Sequence, residues 1–340
     1  MSKIKDGFYS AVYFQKTAKI LKIERPNDIV TMQFFQRSDN VKLCGINECV
    51  DLIRQEAFNP ETLEVWSLAD GDLINANEPV LKIIGHYSNF GHLEGLIDGI
   101  LARQTSIATN CYRVLQAAPS KGIIFMNDRN DYYYNQATDG YAAYIGGIRK
   151  FVTAAQVSLL PEKLTPMGTV PHALIQAFNG DLVSALEAYQ KHFPTEELVA
   201  LVDYNNDVIN DSLLVAKTFP KLAAVRVDTS QALTDKYFLG KEEQYLTTPV
   251  NGVSKELIQT LRKVLDENGY NGVKIIVSSG FTAEKIAMFE AVQVPVDIYG
   301  VGQSLAKLSV GFTGDLVILN NVKQAKFGRN NIETKRLVKR

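Results

Sequence analysis

Residues able to do chemistry stand at the ends of short apolar runs through the later two thirds of this chain. Asn127, Asp128 and Arg129 follow GIIFM (122–126), Asp203 closes LVALVD (198–203) with Asn205 just beyond, and Arg226 and Asp228 end LAAVRVD (222–228). Ser278 ends VKIIVS (273–278) and is followed by Ser279 and Gly280, while Gly300 and Gly302 follow VDIY (296–299). Arginine presents a fork of donors matched to phosphate or carboxylate. Aspartate accepts from sugar hydroxyls or holds Mg²⁺ through water. The mixture suits an anionic substrate that also carries hydroxyls and a divalent cation.

Two glycine-bearing turns give the strongest local signal. VSSGF (277–281) opens a helical pattern at Thr282, and Ile298-Tyr-Gly-Val-Gly-Gln-Ser304 does the same before Leu305. Glycine lets the backbone approach a phosphate, and a helix start offers free N–H groups with a favourable dipole. Neither turn is a GxGxxG fingerprint, and the chain has no GxxxxGK[ST]. The competing reading is two plain strand–helix connections. Of four histidines, His86, His92, His172 and His192, none has metal-ligand spacing. His86 and His92 flank Tyr-Ser-Asn-Phe-Gly and read as loop or packing residues, and His192 reads as a surface residue near a helix end. His172 differs in its setting. A Gly168-Thr169 loop runs through Pro171 into a helix with His172 in its first turn, where an imidazole could hold a transferred phosphoryl group. Taken alone, an inert histidine is still the better reading of that position.

These positions need a scaffold. Between ~120 and ~310 the apolar runs alternate with amphipathic stretches at 207–219, 254–268 and 282–292, the last two entered from Ser254 and Thr282. That alternation predicts parallel strands with crossover helices. Five strands are too few for a closed eight-fold barrel, so the expected fold is an irregular, incomplete α/β barrel, where function gathers at the carboxyl ends of the strands. The first ~110 residues read as a separate mixed module. It has a helix over 8–21, a strand over 28–36, strands over 63–68 and 79–87 around the turn Asp70-Gly71-Asp72, and a long helix over 94–116. Residues 315–319 and 322–327 read as a hairpin returning to that module. The expected domains are 1–115, completed by 312–340, and 116–311.

With 340 residues, 46% hydrophobic and 21% charged, the chain has the composition of a soluble globular protein of about two domains. No apolar run approaches the roughly 20 residues that span a bilayer, and the first residues lack the apolar core of a signal peptide. Cys44, Cys49 and Cys111 form no paired framework, which points to reduced thiols and a cytoplasmic location. Residues 321–340 hold seven Lys or Arg against the single acid Glu333, a local +6 in a chain of net −1. A solvated terminal tail is the expected reading. With the remainder acidic, neither a nucleic-acid nor a membrane partner is expected.

Ten stretches in order resemble the nicotinate phosphoribosyltransferase family, the type II pyridine phosphoribosyltransferases, over nearly the whole chain. They are YFQKT (13–17), FGHLEGLIDGILARQTSIAT (90–109), FMNDR (125–129), DGYAAYIGG (139–147), GTVPHALIQAF (168–178), LVDYNND (201–207), VRVDT (225–229), VSSGF (277–281), VDIYGVGQSL (296–305) and AKFGR (325–329). The resemblance implies an open-faced α/β sandwich domain, built from both chain ends, packed with an irregular α/β barrel. It implies a homodimer with a shared active site. The implied reaction joins nicotinate to phosphoribosyl pyrophosphate, releasing pyrophosphate, with Mg²⁺ and coupled hydrolysis of ATP.

Carried across by motif, His172 matches the histidine that ATP phosphorylates. Arg129 and Arg226 match arginines near the pyridine ring, its carboxylate and the phosphates, and Asp228 matches the acid at the ribose hydroxyls. Ser279, Gly280, Gly300 and Gly302 match the 5′-phosphate loops, with Thr169 and Asp203 as further substrate contacts. Tyr13 resembles the aromatic residue that reaches the neighbouring subunit's ring pocket. Two positions depart from many relatives: Asn130 stands where a second basic residue is common, and Met126 where a small or aromatic one is. Both border the expected base pocket, so nicotinamide or quinolinate remain alternatives to nicotinate. A phosphate-binding barrel lyase or isomerase is the rival from another class, although no Lys stands at a strand end.

Overall fold

The computed structural model describes residues 2–340, with Glu242 followed along its backbone only. Met1, at which the first expected domain begins, lies outside them. The chain divides into two compact units: Met1–Tyr112, Ala142–Gly147 and Lys307–Arg340 form one, and Arg113–Tyr141 with Ile148–Ala306 the other. The boundaries at 112/113 and 306/307 stand in place of the expected 115/116 and 311/312. The first of them falls inside the continuous helix Glu94–Ala117, where no break in the sequence marks it.

The first unit is organised around the strand Val30–Phe35, buried along its whole length. It pairs antiparallel with Thr313–Leu319 on one side and Leu81–Gly85 on the other. The sheet continues outward to Val322–Lys323 at one edge and through Glu64–Ser67 to Val338–Lys339 at the other. Alternation sends Val30, Met32 and Phe34 to one face. There they meet Ile46, Val50 and Ile53 of the helix Ile46–Glu56 and Ile97 and Leu101 of the long helix. Burying one such side chain contributes about 1.5–3 kcal/mol, so this two-layer contact dominates the unit's stability. The first helix runs Val12–Glu24, later than the expected 8–21. Gly7 is left-handed at φ +75, and the Gln15 amide donates to the carbonyls of Gly7 and Ser10, so those carbonyls are satisfied without a helix.

The opposite face carries Thr31, Gln33 and Phe35, and these are buried too. What covers them is the basic C-terminal segment. The Gln33 amide donates to the Asn330 carbonyl (3.0 Å) and accepts from the Ile332 N–H (3.2 Å), while the Arg329 guanidinium lies over the Phe35 ring and pairs with Asp315 at 2.7 Å. Arg336 pairs with Glu78 at 2.7 Å and Lys339 with Glu64 at 3.4 Å, and Val338 and Lys339 extend the sheet beside Ser67 and Trp66. The tail expected from the sequence to be solvated does stay largely exposed, but it is docked along the sheet. Arg336 and Lys339 are met by acids far away in sequence but in the same unit, which local composition could not show.

The second unit is a six-stranded, all-parallel sheet in the order Lys150–Phe151, Gly122–Phe125, Ile298–Val301, Lys274–Val277, Leu222–Val227, Leu198–Leu201. All five expected strands are present; the sixth, two residues long, is too short to carry a pattern. Helices Lys255–Glu267 and Ala283–Ala291 start where expected, with the Ser254 and Thr282 hydroxyls accepting from the N–H groups of Leu257 and Lys285. Ile124, Val199, Ala224 and Ile276 form the inner layer, with Met126, Val152, Met167 and Ile298 packed against it. Among the described residues the two edge strands do not pair with each other, so the barrel is incomplete, as expected. The segment Met167–His172 runs between the edges: the Met167 N–H donates to Phe151 O at 2.8 Å, and His172 reaches Asp203, two residues past the other edge strand. Among the described residues no helix is long and apolar enough to cross a membrane.

In the first unit, burial raises the Glu94 carboxyl to about 7, against a hydrogen bond from the Tyr87 hydroxyl (3.0 Å) and with Asp98 and Asp315 adding to the rise. Burial likewise raises Asp98, one turn along the same helix, to about 6. Between the ordinary carboxyl range and these values the folded chain keeps protons that the unfolded chain has released. The stability associated with the two acids is complete below about pH 4 and is lost as pH rises through 6 and 7. Denaturant melts are expected to show about 1–3 kcal/mol less stability at pH 8 than at pH 5 from these groups, and Glu94→Gln should recover part of it at pH 8. Equal stability at both pH values, with no gain in the variant, would rule out protonated carboxyls here.

Candidate active site

Every expected site residue except Tyr13 lies in the second unit, and all of these stand at the carboxyl ends of its strands or in the crossing segment. Tyr13 belongs to the first unit, exposed on the helix Val12–Glu24 with its ring against Phe14.

The centre of the arrangement is Asp203. Its side chain is 7% exposed and receives the His172 imidazole, itself 45% exposed, with Nε2 at 3.1 Å from Oδ2. Burial pushes the Asp203 carboxyl above the usual range; His172 opposes this by charge and hydrogen bond, and Asp228 adds to it. A carboxylate beside Nε2 favours the tautomer with the proton there, which leaves the Nδ1 lone pair available. Arg226 is largely buried. Burial lowers its pKa from the ordinary arginine value, Asp228 and Asp203 counter the fall, and Arg129 contributes to it. His172, Asp203, Asp228, Arg226 and Arg129 therefore interact as one group. The Arg226 guanidinium also approaches the Val170 carbonyl in the crossing segment, at 3.5 Å. Asp228 accepts a 2.6 Å hydrogen bond from the Ser278 hydroxyl on the adjacent strand, which fixes its orientation.

Two polar atoms of this group and one of the crossing segment are buried and lack a hydrogen-bond partner: Oδ1 of Asp203, Nε of Arg226 and the Thr169 hydroxyl. Buried polar groups are nearly always satisfied, so an acceptor, a donor and a hydroxyl left open together fit a polar ligand. Arg129 is exposed beyond the strand Gly122–Phe125 and forms no ion pair among the described residues.

The two glycine turns differ from each other. Ser279 and Gly280 are consecutive left-handed residues, at φ +75 and +72, and nothing lies within 4 Å of where a Gly280 side chain would begin. That turn is an open cradle. At Gly300 a Cβ would meet the Met126 thioether at 2.6 Å, and at Gly302 the Met126 carbonyl oxygen at 2.5 Å. Gly302 is required by the close approach of the Met126 backbone, whatever ligand the turn holds, whereas at Gly300 the obstacle is the flexible end of the Met126 side chain. The turns are tied together by the Ser304 hydroxyl, which donates to Phe281 O at 2.8 Å.

Sequence reasoning brought the right residue types to one rim but missed how they engage. The His172–Asp203 pair spans 31 positions, and no local signal announces it. The Ser278–Asp228 bond could have been anticipated, because both residues end neighbouring strands. The buried pair of Asn127 and Asp139 (3.4 Å), which joins the Arg129 loop to the following helix, was foreseen only as a rim asparagine.

Comparison with known proteins follows the same lines. Residues 11–105 match the family described as quinolinate phosphoribosyl transferase, N-terminal domain. The chain is 26% identical over 281 residues to a nicotinate phosphoribosyltransferase of Mycobacterium tuberculosis, covering 80% of this chain and 54% of that one. It is 25% identical over 245 residues to a nicotinate phosphoribosyltransferase of Bacillus subtilis, covering 71% and 45%. Among solved structures, a nicotinate-nucleotide pyrophosphorylase from Pyrococcus furiosus superimposes with a TM-score of 0.82 at 29% identity, over 96% of this chain and 79% of that one. By these matches the chain is similar in sequence and fold to pyridine phosphoribosyltransferases. Human nicotinic acid phosphoribosyltransferase shares the fold, with a TM-score of 0.68 at 16% identity over 93% of this chain and 75% of the human one. The chain spans about half the length of the curated relatives it matches.

The contrast between the glycine turns is measurable. Gly302→Ala must displace the Met126 backbone and is expected to lose about 1–3 kcal/mol in urea denaturation. Gly280→Ala meets open space and should lose only the ~1 kcal/mol of left-handed backbone strain. A Gly302→Ala protein as stable as the wild type would show that the Met126 contact is not close.

Proposed function

We propose that this protein is a nicotinate phosphoribosyltransferase of NAD salvage, forming nicotinate mononucleotide and pyrophosphate from nicotinate and phosphoribosyl pyrophosphate. The observation that carries the proposal is the coupled group of His172, Asp203, Arg226 and Asp228 beside the open Ser279–Gly280 cradle. It pairs a phosphate-binding turn with cations for a carboxylate and an acid for sugar hydroxyls. The similarity to nicotinate phosphoribosyltransferases supports the choice of base.

In the transfer, the C1′–oxygen bond to pyrophosphate breaks while a bond forms from the pyridine nitrogen to C1′ on the opposite face. Positive charge develops on the ribosyl centre, and the protein's part is placement and electrostatics rather than covalent chemistry. The cradle would hold the 5′-phosphate, Asp228, oriented by Ser278, the ribose hydroxyls, and Arg226 with Arg129 the carboxylate and phosphates. Mg²⁺ carried on the pyrophosphate needs only one or two carboxylates from the protein. Asp203, with Oδ1 buried and unpaired, and Asp228 fit that need. No cluster of three His, Cys, Asp or Glu able to hold a metal occurs among the described residues. When bound, Mg²⁺ would neutralise the leaving group.

Coupling to ATP rests on the same histidine. Nδ1 of neutral His172 attacks the γ-phosphorus, the bond to the bridging β-phosphate oxygen breaks, and ADP leaves. The Nε2 proton stays directed at Asp203, which stabilises the positive ring. Water later takes the phosphoryl group as inorganic phosphate and restores the imidazole. The added negative charge would draw Arg226, Arg129 and Mg²⁺ into a substrate-ready arrangement. A homodimer with Tyr13 reaching the partner's ring pocket, and a cytoplasmic location suited to three buried free cysteines, complete the proposal.

A second reading, transfer to quinolinate, is favoured by the family matched at residues 11–105. Offering nicotinate, nicotinamide and quinolinate in turn with phosphoribosyl pyrophosphate, and measuring pyrophosphate, separates the readings. Nicotinate is expected to be the substrate, and release of pyrophosphate with quinolinate alone would replace the first reading with the second. With γ-labelled ATP, an acid-labile, base-stable label is expected on the wild type and not on His172→Asn. Asp203→Asn should label ~10²-fold more slowly, the low end for losing a positioned acid–base partner. Label persisting in His172→Asn would remove that residue from the ATP step.

A further inference from the structure

We infer that Tyr132, Tyr133 and Tyr134 form the stacking surface for the adenine of the ATP that phosphorylates His172. The inference rests on the ATP coupling proposed above and adds a residue assignment to it. The three tyrosines follow Arg129 in the loop that leaves the strand Gly122–Phe125, and they are 60%, 60% and 70% exposed. Their rings pack on one another, with centroids 5.0, 5.3 and 4.4 Å apart and the last pair stacked at an interplanar angle of 30°. Three consecutive aromatic rings clustered in water, rather than turned into the core, mark a surface kept for a ligand or partner.

The loop is fastened at both ends. Asn130 donates to Met126 O (3.2 Å), and Gln136 donates to Asp128 O (3.0 Å) while accepting from the Thr153 hydroxyl (2.8 Å). At the tip, Asp131 accepts from the Tyr132 N–H at 2.6 Å, and the Asn135 N–H donates to Tyr132 O at 2.9 Å. The rings are thus presented by a hydrogen-bonded turn.

Charge order identifies the occupant. From the rings the chain leads back to the exposed Arg129, which is close enough to act on the charge of Arg226. Arg226 approaches Val170, two residues before His172, and shares Asp203 with that histidine. Aromatic surface, cation, cation and nucleophile is the order of adenine, phosphates and γ-phosphoryl in ATP. Nicotinate does not fit this order, because its ring must lie at the reacting ribosyl carbon and it has no phosphate chain. The strand Lys150–Phe151, which anchors the crossing segment through Met167, is also the immediate neighbour of the strand that carries the tyrosine loop.

The test uses a non-hydrolysable ATP analogue with Mg²⁺, titrated calorimetrically into the full chain. Its partners are a variant with Tyr132→Ala, Tyr133→Ala and Tyr134→Ala together, and a second with all three changed to Phe. The alanine variant is expected to bind about five- to a hundredfold more weakly, the range for losing one base–aromatic stack, and the phenylalanine variant within about twofold of wild type. The KM for ATP in the labelling reaction should move in parallel. Wild-type affinity in the alanine variant overturns the assignment, and so does equal weakening in the phenylalanine variant. A change of oligomeric state at unaltered affinity would assign the rings to a contact between copies instead. If the wild type neither binds the analogue nor takes label, ATP coupling fails and this assignment with it. If the wild type does both and the alanine variant matches it, only the stacking fails.

Discussion

A carboxylate taken out of water must find positive charge or give up its own, and Asp203 is where this constraint bears on the second unit. Its side chain is almost wholly enclosed, yet one oxygen is spent on His172 and the other has no hydrogen-bond partner. Arg226, also largely buried and short of a partner at Nε, is a fixed positive charge that interacts with it. Each of the two is costly to bury alone and tolerable together. What they leave unsatisfied is a matched pair of polar vacancies. Removing either would strand the other, so the site's charge balance and the fold's stability share the same residues.

That balance depends on geometry the sheet alone cannot supply. Six parallel strands place Asp228, Ser278 and Gly302 along one rim, but His172 comes from outside the sheet, on a segment hydrogen-bonded to one edge strand and ending at a residue beyond the other. The crossing stands where the missing strands of a closed barrel would be. Incompleteness is therefore what gives the histidine a route to the strand ends. Met126 plays a comparable part from within: its side chain packs against the inner layer and its carbonyl demands glycine at position 302 of the neighbouring turn.

How far the sequence foretold this varies by residue. The five longer strands of the barrel were legible because each is a run of apolar residues ended by polar ones, and the helices because Ser254 and Thr282 cap them. The rim residues were legible for the same reason: a strand end is a place in the chain as well as in space. The Lys150–Phe151 strand was not, since two residues hold no period. The His172–Asp203 bond and the docking of Arg336 on Glu78 were hidden because each joins positions far apart in sequence. Gly300 and Gly302 were read as phosphate glycines on type alone, and only the position of Met126 reveals the second cause at Gly302.

The pairing of Val30–Phe35 with Thr313–Leu319 sets an order on assembly. A ribosome delivers the whole of the second unit before it delivers the strand that the first unit's central strand must have beside it. Residues 30–35 are therefore made early and wait, with both faces destined for burial, through the synthesis of more than half the chain. The barrel unit, continuous but for a six-residue excursion at 142–147, has its strands in hand long before. The sandwich unit closes last, by capture of its C-terminal strands.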